Sequence, residues 1–193
     1  MILFGHIGFT LAFVFLVFLI LKEDVDYRYV IAGSMLPDMI DKPIGHYLFK
    51  EIFSNGRIFG HTLLFILALL GLAYILNQKY NYSGFIFLTL GAVMHQVEDQ
   101  MWLYTSTTLW PVFGIEFPRI TIDDYGSYIL ERLFTVPEVY VPELIGLVLM
   151  IAFVVYYRLY TPSALKSFIL DNEMSTRSAP EPGSADVVGK MIR

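Results

Sequence analysis

A chain of 193 residues that is 56% hydrophobic and only 16% charged, with a mean hydropathy of +0.59, carries too little charge to cover a globular surface, for which about 25% is usual. The net charge of −5 includes no polybasic run, which argues against nucleic acid as a partner. The absence of cysteine excludes disulfides, thiolate zinc sites and a cysteine nucleophile. Any metal must then be held by imidazole and carboxylate, donors that suit zinc, manganese, iron or magnesium.

The apolar residues fall in long blocks, so lipid is the expected solvent. Met1–Leu21 comes first. It has no Lys or Arg ahead of its apolar core, and Lys22-Glu23-Asp24 follows it instead of a small-residue cleavage site. Its length matches a hydrocarbon slab of about 30 Å, so a retained spanning helix is expected. Tyr29–Asp41 (YVIAGSMLPDMID) follows, too short for an ordinary span and closed by Pro37 and two acids. Lone apolar stretches of that length mark re-entrant or interfacial segments, and Pro37 is expected to end or kink the helix. Thr62–Leu76, Phe85–Tyr104 and Leu144–Tyr160 are each long enough to span.

Between the last two, Thr105–Pro142 is punctuated by Pro111, Pro118, Pro137 and Pro142. Within it Tyr125–Phe134 has amphipathic helical spacing and is expected to lie along the membrane surface. Trp102, Trp110 and several tyrosines sit where an aromatic belt belongs. After Thr161-Pro162 a short amphipathic stretch gives way to Asn172–Arg193, rich in Ser, Pro, Glu and Gly, which is expected to be disordered. The expected organisation is one helical membrane domain over 1–171 and a polar tail over 172–193.

All four histidines, His6, His46, His61 and His95, fall in or beside apolar segments. An ionisable group there costs roughly 2.5–3.5 kcal/mol when charged at a helix centre. His95 and Asp99 stand at i and i+4, hence on one helix face, with Glu98 beside them. A His–Asp hydrogen bond at a helix end explains that spacing as well as a ligand pair does. Asp38 and Asp41 flank a sharp break and could equally be turn and cap residues. His61 opens a spanning helix directly after Gly60, with Arg57 one turn earlier.

Topology adds a test that residue types do not. If His6 lies at one membrane side, Met1–Leu21 ends at the other. His95 and Asp99 can join His6 only if the chain returns before His61, which requires Tyr29–Asp41 to cross. With that crossing His6, Asp38, Asp41, His61, His95 and Asp99 share one face; without it they divide between two. The expected fold is therefore an all-α polytopic transmembrane bundle of about five crossings. One is short and broken, and lines a polar cavity, because irregular backbone at that depth needs protein or water around it.

These residues resemble the YdjM-type family of membrane-bound metal-dependent hydrolases. The matching stretches are the N-terminal helix with His6, AGSMLPDMID (32–41), GRIFGHTLLF (56–65), LGAVMHQVEDQMW (90–102) and LWPVFG (109–114). They occur in family order over roughly residues 1–115. The commoner family form spaces the two acids by two residues, whereas Met39-Ile40 separate Asp38 from Asp41 here. The resemblance implies that His6, Asp38, Asp41, His61, His95 and Asp99 are the metal ligands.

The expected function is hydrolysis of a phosphate or ester bond in an amphiphilic or lipid-linked substrate, with the bilayer as partner. One or two divalent ions are expected as cofactor, zinc first and manganese, iron or magnesium next. Glu98 is expected to act as general base or as a partner to the ligands, and Arg57 to contact an anionic group. The alternative is a non-enzymatic scaffold or ion-handling protein with the same His/Asp site. Lys22, Arg28, Lys79, Arg158, Lys166 and Arg177 would lie opposite the site, and Lys42, Lys50, Arg57, Arg119 and Arg132 on its side. The positive-inside rule then places the site at the outer face of the plasma membrane.

Overall fold

A computed structural model of the chain describes residues 1–120, 122 and 124–171; the tail expected over 172–193 lies outside the described residues. The described residues form helices and no strands. They divide into two compact units, Met1–Ile151 and the residues from Ala152 onward.

In the first unit, α1 (Phe4–Leu21) and α3 (Leu63–Tyr80) are long and apolar enough to cross a membrane, as is α7 (Pro137–Tyr156), which runs on into the second unit. Each 18-residue helix extends for about 27 Å, close to the hydrocarbon thickness. Two further rods, α2 (Tyr27–Pro43) and α4 (Gly84–Glu98), are 17 and 15 residues long. The helix ends follow local chemistry. Lys22 and Asn81 adopt left-handed conformations that stop α1 and α3, and the Thr62 hydroxyl accepts the Phe65 N–H to start α3.

α2 does not end at Pro37. It continues to Pro43 and loosens only afterwards, in a π-helical turn over Ile44–Leu48. Pro37 lies inside the helix, buried against its neighbours, where packed helices can satisfy the backbone groups that a proline frees. α4 is shorter than its apolar run, because Gln100 turns left-handed and the chain passes into a 3-10 turn at Met101–Leu103. α7 begins earlier than expected, at Pro137, where a proline's missing N–H costs nothing. Between α4 and α7 lie the short α5 (Thr105–Thr108) and the amphipathic α6 (Tyr125–Thr135), which is capped by Asp124.

α2 and α4 pack at backbone distance. A Cβ on Gly33 would stand 2.0 Å from the Leu88 carbonyl oxygen, and one on Gly91 would stand 2.3 Å from that of Val30. Small residues at such contacts let helices approach where lipid supplies no hydrophobic drive. The first turn of α1 is capped from α7: the buried Glu143 carboxylate accepts the Leu3 and Phe4 N–H groups at 3.0 and 2.8 Å. In the second unit Phe153, Tyr157, Leu159 and Phe168 are buried around the end of α7 and α8 (Pro162–Asp171).

Candidate metal centre

Four segments converge at one end of the bundle. His6 comes from the first turns of α1, Asp38 and Asp41 from the last turns of α2, His61 from the 3-10 turn Phe59–His61 that leads into α3, and His95 and Asp99 from the end of α4. All six are buried. Their meeting requires α2 to run antiparallel to α1.

The histidine ring orientations carry the chemistry. His61 Nδ1 faces Asp41 Oδ2 at 2.7 Å, His6 Nδ1 faces Glu98 Oε2 at 2.8 Å, and His95 Nδ1 faces the Ser34 carbonyl oxygen at 2.6 Å. A carbonyl can only accept, so His95 Nδ1 carries its proton. The Asp41 carboxylate also accepts the backbone N–H groups of Ile58, Gly60 and His61, and Glu98 accepts the Thr10 hydroxyl at 2.9 Å. Where His6 and His61 likewise donate from Nδ1 to their carboxylates, the Nε2 of each neutral ring presents a lone pair.

Those lone pairs point at one another and at carboxylates. His61 Nε2 and His95 Nε2 are 3.2 Å apart, and two neutral imidazoles in these tautomers have no proton to share across that gap. His6 Nε2 is buried without a hydrogen-bond partner, 3.4 Å from Asp99 Oδ1. Asp38 Oδ1 lies 3.7 Å from His95 Nε2 and 3.8 Å from His61 Nε2. The donors form two overlapping triads, His6–Asp38–His95 and His61–His95–Asp99, with the ligand atoms of each within 4.8 Å of one another. Nitrogens bound at 2.0–2.1 Å to one tetrahedral zinc stand roughly 3.3 Å apart, so the His61–His95 spacing needs little adjustment to hold an ion.

Two of the carboxylates are paired with cations: the Lys42 ammonium is on Asp38, and Asp99 meets Arg57 Nε at 2.8 Å through Oδ2 and the Met1 amine at 3.3 Å through Oδ1.

Asp41 stands one step behind the others. Its two oxygens are engaged by three amides and His61 Nδ1, which makes it the group that aims His61. Glu98 does the same for His6 and also lines a cavity. Arg57, held on Asp99 and stacked 4.9 Å over the Tyr104 ring, lines two cavities. The fourth histidine, His46, lies outside the cluster and stacks on Tyr125 at 3.8 Å. Burial, with Lys42 and Lys50 nearby, lowers its pKa, while burial followed by the Asp38 charge raises that of the Tyr125 phenol. The Ser34 carbonyl, Thr10 and Tyr125 have no sequence signal, because their roles depend on partners 61, 88 and 79 residues away.

The fold and this site define a polytopic helical membrane protein with a buried His/Asp cluster at one end of its bundle. A family model for the YdjM inner membrane protein matches residues 1–167, and the chain belongs to that family. No curated protein and no solved structure matches it.

Proposed function

We propose that the protein is a membrane-bound metal-dependent hydrolase acting on a phosphate or ester bond of an amphiphilic substrate. The observation that carries this reading is the inward convergence of three imidazole lone pairs with Asp38 and Asp99. We assign His6, Asp38, His61, His95 and Asp99 as ligands for one or two divalent ions, with zinc fitting the nitrogen–carboxylate set best. Asp41 and Glu98 fix His61 and His6 through their Nδ1 protons. When bound, such an ion polarises the bond under attack and acidifies an attacking water.

The protein's own residues supply the rest. We assign Glu98 as acceptor of the water's proton, since it lines the larger cavity beside Asp99. Water oxygen bonds to phosphorus or acyl carbon as the ester oxygen leaves, and that oxygen takes up a proton in return. Arg57 meets the anionic group. Elemental analysis of purified protein is expected to give one or two divalent ions per chain, and chelation to abolish release of phosphate or acid from an ester panel. Metal-free protein with full activity would sink the reading. A chelator-insensitive ion flux in proteoliposomes would favour the ion-handling alternative.

We also place the site at the outer face, on the distribution of Lys and Arg. With single cysteines introduced at positions 24, 44 and 80, an impermeant maleimide added to intact cells is expected to label position 44 alone. Labelling of 24 and 80 instead reverses the orientation.

A further inference from the structure

Two cavities border the cluster. The first, of about 410 Å³, is lined by Lys42, Arg57 and Arg132, by the phenols of Tyr125 and Tyr128, and by Asp38 and Asp99. The second, of about 620 Å³, is lined by Phe9 and Phe13 of α1, Met94 of α4 and Leu103 after it, together with Glu98 and Asp99. Met1, Arg57, Asp99, Tyr104 and Glu138 border both. The first space thus holds two cations, Lys42 and Arg132, that the second lacks, the second holds Phe9, Phe13, Met94 and Leu103, and they meet at the Arg57–Asp99 pair.

We propose that these cavities are the head and tail subsites for an anionic amphiphile, a phosphate ester whose polar group sits among Lys42, Arg57 and Arg132 and whose hydrocarbon chain lies along Phe9, Phe13, Met94 and Leu103. The proposal rests on the hydrolase reading for the place of bond cleavage, at the shared neck. Arg132 belongs to α6, which buries no residue of its own, and donates to the Tyr128 hydroxyl at 3.2 Å with its guanidinium stacked on the same ring. Arg132 also lines the first cavity, and a guanidinium is the side chain whose planar N–H groups match phosphate oxygens best. Phe9 and Phe13 stand one helical turn apart on the same face of α1, and Phe13 and Leu103 remain largely exposed. The second cavity is therefore bordered by apolar side chains that reach the protein surface. Asp38, Asp99 and Glu138 would repel an anion on their own. The Lys42 and Arg57 pairings, with the proposed ion, offset the first two.

Binding to the full-length protein in phosphatidylcholine nanodiscs, supplied with zinc, separates head from tail. Monododecyl phosphate is expected to bind at least about 10-fold more tightly than monobutyl phosphate, from the buried methylenes. R132A is expected to weaken both by roughly 10-fold through the lost bidentate contact. L103W, which fills the groove, is expected to weaken only the dodecyl ester. Dodecanol is expected to bind more weakly than dodecyl phosphate and to be indifferent to R132A. Equal binding of the two phosphates, or of dodecanol and dodecyl phosphate, overturns the proposal. If phosphate is released from both esters without chain-length preference, the head-and-tail assignment fails while the hydrolase reading stands. Chain-length-dependent, Arg132-dependent binding without turnover supports the two subsites and overturns the hydrolase reading.

Discussion

His95→Ala is expected to reduce bound divalent metal to background and to abolish chelator-sensitive hydrolysis. His95 belongs to both donor triads, so its loss leaves neither with three ligands, whichever of them holds the ion. Asp41→Asn and Glu98→Gln make the informative contrast. Each keeps the shape of a side chain that aims a histidine while weakening its grip on the Nδ1 proton, and each is expected to lower metal affinity by roughly 10–100-fold, as loss of such supporting partners usually does. Titration with a competing chelator measures both effects. Wild-type metal content in His95→Ala would remove the basis for the site; equal and total loss in Asp41→Asn would make Asp41 a ligand.

Gly91→Leu is expected to have the largest effect on stability. A Cβ at this position would stand 2.3 Å from the Val30 carbonyl oxygen and 2.8 Å from the Ser34 nitrogen. Both are backbone atoms in the middle of α2, so the strain cannot be relieved by a side chain moving aside. Overpacking of this kind costs about 1–3 kcal/mol and sometimes more. The damage also reaches the site, because Gly91 and His95 are one turn apart on the same face of α4 and the Ser34 carbonyl holds His95 Nδ1. Gly71→Leu is the control, since a Cβ there meets nothing within 4 Å. Thermal unfolding in detergent should separate the two variants by many degrees. Equal midpoints would show that α2 and α4 do not pack at this distance.

Much of the architecture was legible because length and apolarity act locally. α1 and α3 follow directly from blocks that match the bilayer, and the α2 crossing followed from requiring His6, His61 and His95 to share a face. Helix ends were less legible where the stop is conformational: Gln100 is an ordinary residue until its backbone turns left-handed. The roles of the two α2 acids show the same limit. Asp38 and Asp41 look alike in sequence, yet Asp41 is taken up by amides that lie 17 to 20 residues further on. The pairing of His46 with Tyr125 joins segments that no local pattern connects. Pattern reports what a segment does with its solvent, and contact at a distance decides what its polar groups do with each other.

The site draws on α1, α2, the turn before α3, and the end of α4, with Glu143 of α7 fixing the start of α1. The His61–His95–Asp99 triad comes from one hairpin, α3–α4 with the turn that leads into it, whereas the His6–Asp38–His95 triad needs α1, α2 and α4. The two triads therefore differ in what they require of assembly: one is local to a helical hairpin, and the other closes only when three separate helices have packed side by side.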